Sequence, residues 1–223
     1  MSARTETRPD GQPRESAGDR AYAFVKDQIV SGVYAGGTLI SEGEVSSAVR
    51  ISRTPVREAF LRLAAEGLLR LYPKRGALVV PVSTAEVHDV LDARLLIERH
   101  AVEMVICAGR HREVGAAMRA ILDRQHQMAG PMDAQRFTEL DRQFHSTLVE
   151  AAGNVLLVGF YATLRDRQLR MGTAALLRDP DRRAAILAEH AALADLIEAG
   201  NADGVAGALA EHLAGTRAAV TNG

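Results

Sequence analysis

The chain has 223 residues, 47% of them hydrophobic and 25% charged, with a formal net charge of −1. That length suits two globular domains, and the charge excludes a uniformly basic nucleic-acid binder. No run approaches a membrane span, the first residues lack the apolar core of a signal peptide, and the single cysteine, Cys107, excludes an intramolecular disulfide and fits a cytoplasmic protein.

Residues 1–18 are polar, rich in Pro, Gly, Ser, Thr and charge, and read as a disordered arm. A helix is expected from about Ala17 to Val30, with Tyr22, Val25 and Ile29 on one side, before Gly36-Gly37 breaks the chain. Ser41-Glu42-Gly43-Glu44 is a capping box that opens a short helix over roughly 41–49. A tight connection through Arg50-Ile51 then leads to Ser52-Arg53-Thr54-Pro55-Val56-Arg57-Glu58, another helix N-terminus. Ser52 or Thr54 is its expected cap. Pro55 falls in the first turn, where its missing N–H has no intrahelical partner to lose. Arg53 and Arg57 are four apart and share a face with Thr54 beside them, while Val56, Ala59, Phe60 and Leu63 form an apolar face. Such a helix packs on one side and presents cations and its positive end on the other. A solvated amphipathic helix fits this pattern, and so does the recognition helix of a helix-turn-helix.

The flanks favour the second reading. Gly67 stops the helix. Strands over residues 69–72 and 77–80, joined by Pro73-Lys74-Arg75-Gly76, make a two-stranded hairpin with a basic, glycine-bearing tip. Three helices and a basic hairpin make a winged helix-turn-helix, expected over 19–82. Between residues 21 and 82, eight basic residues stand against five acidic ones, so this segment is +3 and the remainder −4. The positive excess sits where phosphate contact requires it.

Ser83-Thr84-Ala85-Glu86 is a second capping box, and residues 83–223 are helical in pattern to the end. About six helices are expected: 84–108, 111–129, 133–152, 154–177, one starting at Asp179 or Asp181 and running to 200, and 202–220. Gly109, Gly130-Pro131, Gly153 and Gly200 are the stops. The fold class is therefore mainly α, with the winged helix-turn-helix followed by an antiparallel all-α bundle. Cys107 lies in an apolar helical run and is expected to be buried and inert.

Polar residues interrupt the bundle's apolar stripes. Phe137, Leu140, Asp141, Phe144, His145 and Leu148 share one face; His190 lies among Ile186, Leu187, Leu193 and Ile197; His212 lies among Ala208, Leu209 and Leu213. One buried histidine is usually a hydrogen-bonded core residue. A carboxylate and three imidazoles pointing inward are costly unless a partner satisfies them. A divalent metal does so, since Asp oxygen and His nitrogen are ordinary ligands. Spacing alone leaves both readings open. His88, His100, His111 and His126 have no such constellation.

Residues 20–82 resemble the DNA-binding domain of the GntR family of bacterial transcriptional regulators, through "SRTPVREAF", "LAAEGLL" and "PKRGALVV". Two departures stand out: Arg50 replaces the usual Gly of the turn and adds a candidate phosphate contact, and Gly43 stands where some members carry a DNA-touching Arg. The second half is similar to the ligand-binding FCD domain of the FadR-type branch, through "DRQFHSTLVEAAGN" and the later histidines. The resemblance implies a regulator, a repressor rather than an enzyme. Its DNA-contacting residues would be Arg50, Arg53, Thr54, Arg57, Lys74, Arg75 and Gly76. It implies a divalent metal held by Asp141, His145, His190 and His212, with Zn²⁺ first and Ni²⁺, Mn²⁺ or Fe²⁺ as alternatives. A small carboxylate effector is expected to meet Arg94, which is four residues from Glu98; a surface Arg94–Glu98 pair is the bland alternative. Arg165, Arg167 and Arg170 are further effector candidates. The implied partner is pseudo-palindromic operator DNA bound by a homodimer, with no membrane. The alternatives are a regulator for which the metal is the signal, and a metalloenzyme using an open metal position.

Overall fold

The computed structural model describes residues 16–128, 134–179 and 181–221. The expected arm therefore lies outside the described residues except for 16–18, as do the Gly130-Pro131 stop and the start of a helix at 133. The chain divides between Pro81 and Val82 into two compact units.

In the first unit, α1 (Ala17–Val30) begins where Ser16 Oγ accepts from the Asp19 amide. It is followed by β1 (Leu39–Ile40), α2 (Glu42–Val49), α3 (Arg53–Ala65), β2 (Leu69–Tyr72) and β3 (Gly76–Val79). The capping box of α2 is complete: Ser41 Oγ accepts from the Glu44 amide, and the Glu44 carboxylate accepts from the Ser41 amide. α3 corrects an expectation, because Ser52 stands at its N-cap with no side-chain capping bond. Ala21, Val25 and Ile29 of α1 pack with Val45, Val56, Phe60 and Leu63. Burying Phe60 and Leu63 contributes roughly 1.5–3 kcal/mol each.

Arg50 ends α2 with φ 58°, in the left-handed region. A residue with a Cβ pays about 1–2 kcal/mol there, which explains a preference for Gly at this position. The expected two-stranded hairpin is instead a three-stranded antiparallel sheet in the order β1-β3-β2, with Tyr72 opposite Gly76 and Leu39 opposite Leu78. A two-residue strand has too short an alternation to be read from sequence. β1 crosses so close that a Cβ on Gly76, whose φ is 101°, would collide with the Ile40 carbonyl oxygen. Gly76 thus has a packing role at the wing.

The second unit is helical: α4 (Thr84–Cys107), α5 (His111–His126), α6 (Ala134–Ala151), α7 (Val155–Thr163), α8 (Arg165–Arg178), α9 (Arg182–Glu198) and α10 (Ala202–Thr221). α4 packs on α6 and α10, and α5 on α6 and α9. These are seven helices among the described residues, one more than the sequence pattern gave, because the stretch 154–177 breaks at Leu164. There the amide of Leu164 turns back to the Tyr161 carbonyl, three residues away, and Thr163 Oγ1 donates to the Phe160 carbonyl. No Gly or Pro marks this break. Cys107 is another correction: it is exposed at the end of α4, on the side away from buried Val102 and Val105. Among the described residues no helix is long and apolar enough to cross a membrane.

Candidate metal centre and nucleic-acid interface

Asp141 and His145 project together from α6 because they are one turn apart. His190 from α9 and His212 from α10 meet them, and one ligand atom from each of the four residues lies within 4.8 Å of all the others. The three histidines are fully buried or nearly so, while the Asp141 side chain is 17% exposed. Each imidazole is fixed from behind. His145 Nδ1 donates to Glu98 Oε2 at 2.7 Å, His212 Nδ1 to Glu189 Oε2 at 2.6 Å, and His190 Nδ1 to Gln125 Oε1 at 2.8 Å. A carboxylate only accepts, so Glu98 and Glu189 require a proton on Nδ1. The Gln125 amide is oriented by its own donation to the Phe137 carbonyl. His190 also stacks on Phe144, with ring centroids 4.0 Å apart.

This arrangement fits a cation. With Nδ1 protonated, each neutral imidazole turns an Nε2 lone pair inward. His145 Nε2 and His212 Nε2 then face one another at 3.1 Å, lone pair to lone pair. His190 Nε2 is buried without a hydrogen-bond partner among the described residues, 3.3 Å from Asp141 Oδ1. Burial favours the neutral rings: it pushes His190 down to about 3 and lowers His212. Asp141 stays ionised, with its pKa well below the usual carboxylate range. Three imidazole nitrogens and one carboxylate oxygen, converging, are the donor set of a divalent transition metal.

The Arg94–Glu98 pair is buried, not superficial, with side chains 5% and 0% exposed and Arg94 Nε 2.9 Å from Glu98 Oε1. Arg94 Nη2 is buried and has no hydrogen-bond partner among the described residues. Arg94 lines a narrow cavity with Phe137, Thr138, Asp141, Gln168 and Thr216. Its volume is about 20 Å³. Arg94 and Asp141 therefore share one cavity. Arg165 and Arg167 do not line it; they pair at the surface with Glu139 and Glu86. Arg170 is buried outside its lining. Sequence reasoning missed Glu189, Gln125, Tyr161 and Gln168. Glu189 adjoins His190 in the chain yet serves His212 on another helix, which periodicity cannot reveal.

In the first unit, Arg53, Arg57, Lys74, Arg75 and Gly76 line one groove between α3 and the wing, together with Glu42. Arg50 and Thr54 are exposed but lie outside that lining. Arg57 is held by Glu42 through Nε at 2.9 Å and Nη2 at 3.0 Å. Lys74, at φ 63°, makes the wing turn. The groove thus gathers four cations from two elements onto one face, as a polyanion requires.

Two family models match the chain: "Bacterial regulatory proteins, gntR family" over residues 17–79 and "FCD domain" over residues 89–215. The chain is 29% identical over 154 residues to the gluconate operon transcriptional repressor of Bacillus licheniformis, covering 68% of this chain and 62% of that one. It is 33% identical over 144 residues to the HTH-type transcriptional repressor RspR of Escherichia coli K12, covering 63% of this chain and 61% of that one. The match thus spans about three-fifths of the length of these relatives. Among solved structures, it superposes on a GntR protein of Rhodococcus sp. RHA1 with a TM-score of 0.69 at 19% identity, covering 92% of this chain and 97% of that one. E. coli McbR/YncC gives a TM-score of 0.63 at 20% identity, covering 89% and 94%. These structural likenesses speak for the fold.

Proposed function

The chain belongs to the GntR family of bacterial regulatory proteins and carries the FCD domain, and from that premise we propose that it is a DNA-binding transcriptional repressor whose helical unit takes a divalent metal and a small organic acid. The observation that carries the reading is the buried Asp141, His145, His190 and His212 cluster, whose Asp141 lines one cavity with the buried Arg94. These four residues would hold the ion, Zn²⁺ first among Zn²⁺, Ni²⁺, Mn²⁺ and Fe²⁺. When bound, the ion supplies a cationic centre that favours a carboxylate in any open coordination position. Arg94 would hold the far end of that acid through Nη2.

Arg53, Thr54 and Arg57 on α3 would read base edges, with Arg50, Lys74, Arg75 and the Gly76 backbone on phosphate or the adjacent groove. A single winged helix-turn-helix offers few base contacts, so a homodimer on a pseudo-palindrome suits the specificity required. The exposed apolar side chains Leu96 and Met104 of α4 and Val155, Leu156 and Phe160 of α7 supply a surface for it. α4 and α7 pack against one another. A DNA partner places the protein in the cytoplasm.

The metal as the signal itself is the second regulatory reading. A metalloenzyme needs a free general base beside the cluster, and the adjoining carboxylates, Glu98 and Glu189, are both committed to histidine Nδ1 protons. The test is selection from a random DNA pool, followed by anisotropy titrations of the selected duplex with small carboxylates, with and without chelator. A recovered pseudo-palindrome, released by one acid only in metal-loaded protein, supports the reading. Release by metal alone favours the second reading, and a pool that yields no preferred sequence contradicts both.

A further inference from the structure

We propose that Glu98 is the positioning residue of the metal cluster, acting through His145 and joining it to Arg94 and Tyr161; this rests on the metal reading above. Glu98 is 0% exposed and takes donors from three helices. Oε2 accepts from His145 Nδ1 on α6 at 2.7 Å. Oε1 accepts from Arg94 Nε on α4 at 2.9 Å and from Tyr161 Oη on α7 at 2.7 Å. Each oxygen has a defined task. Oε2 fixes the His145 tautomer, so that Nε2 keeps a lone pair for the cluster. Oε1 occupies Arg94 Nε, while Nη2 has no partner among the described residues.

The three imidazoles are not held alike. His190 is backed by a neutral amide, Gln125. His212 is backed by Glu189, whose side chain is 28% exposed. Only His145 is backed by a fully buried charge, so its orienter has no solvent to replace it. A glutamine at position 98 would have the right shape and the wrong donor pattern. If its NH₂ faces His145, the ring must turn Nδ1 into an acceptor, and the proton moves to Nε2, where it blocks the ligand lone pair. If its NH₂ faces Arg94 and Tyr161 instead, it meets two groups that also donate.

The experiment measures Zn²⁺ affinity by competition with a chromophoric chelator in the parent, Glu98→Gln, Glu98→Asp, His145→Ala and the double variant Glu98→Gln/His145→Ala. Nitrogen chemical shifts of His145 are read in the metal-free parent and Glu98→Gln. The expected results are an affinity about 10–100-fold lower in Glu98→Gln, no further loss from Glu98→Gln once His145 is alanine, and a shift of the His145 proton from Nδ1 to Nε2. Glu98→Asp keeps the charge but withdraws it by one methylene, and is expected to lose affinity too; it carries the test if the glutamine variant does not fold. Parent-like affinity in whichever variant folds overturns the proposal. So does an equal loss with and without His145, which would make Glu98 merely structural. A parent that takes up no Zn²⁺ instead defeats the metal reading itself, a separate result.

Discussion

Replacing Arg94 with methionine removes a buried cation while keeping most of the volume of its stem. Arg94 is 4% exposed and Glu98 0%, so neither charge has water in reserve. In Arg94→Met, Glu98 retains Tyr161 and His145 as donors but loses the guanidinium that, with His145, holds it ionised against burial. Breaking a buried pair from one side costs roughly 3–5 kcal/mol. At about 2–4 °C per kcal/mol for a unit of this size, the melting temperature falls by roughly 6–20 °C. Removing both charges, in Arg94→Met/Glu98→Gln, leaves no uncompensated ion, and stability returns to within about 2 kcal/mol of the parent. Urea unfolding of metal-free protein at pH 7.5, followed by circular dichroism, measures the cycle. A cost below about 1 kcal/mol for Arg94→Met, or a double variant as unstable as the two single changes summed, refutes this account of how the site is held.

Further outcomes follow from the other elements. Arg53→Ala or Arg57→Ala weakens binding to selected DNA by roughly 1–3 kcal/mol and relaxes specificity at one base pair; if anisotropy finds both unchanged, α3 is not the recognition helix. Lys74→Ala or Arg75→Ala weakens all sequences alike and shallows the salt dependence by about one unit of slope, and a sequence-selective loss would contradict phosphate contact. In metal-free protein, stability falls as pH drops below 6.5 toward 3. His190 is neutral in the fold down to about 3 but takes a proton near 6.5 when unfolded, so acid favours the unfolded chain. The slope is about 1.4 kcal/mol per pH unit for each such group, and the lowered His212 adds the same sign. A urea midpoint that stays level between pH 7 and 4.5 would rule this out. Arg50→Gly relieves the left-handed φ of 58° and raises stability by roughly 0.5–1 kcal/mol, checked by the melting temperature of the variant.

Much of the fold was legible because its signals are local. The Ser41–Glu44 box and the terminating glycines 67, 109, 153 and 200 act over a single turn. The four cluster residues were legible because each interrupts an apolar stripe. What escaped depends on contacts between elements. β1 exists through its pairing with β3, and the break at Leu164 carries no Gly or Pro. Gln125, Glu189 and Tyr161 act on partners 65, 23 and 63 residues away. Glu98 was in view only as the neighbour of Arg94, because its bond to His145 spans 47 residues.

Calorimetric titration of Zn²⁺ into chelator-stripped protein, beside a His190→Ala variant of verified fold, decides whether the cluster binds a metal ion. The expected result is one ion per chain in the parent and an affinity at least about a hundredfold lower in the variant, since one of four ligands is gone. Absence of binding in the parent, or equal binding by both proteins, would contradict a metal centre at Asp141, His145, His190 and His212.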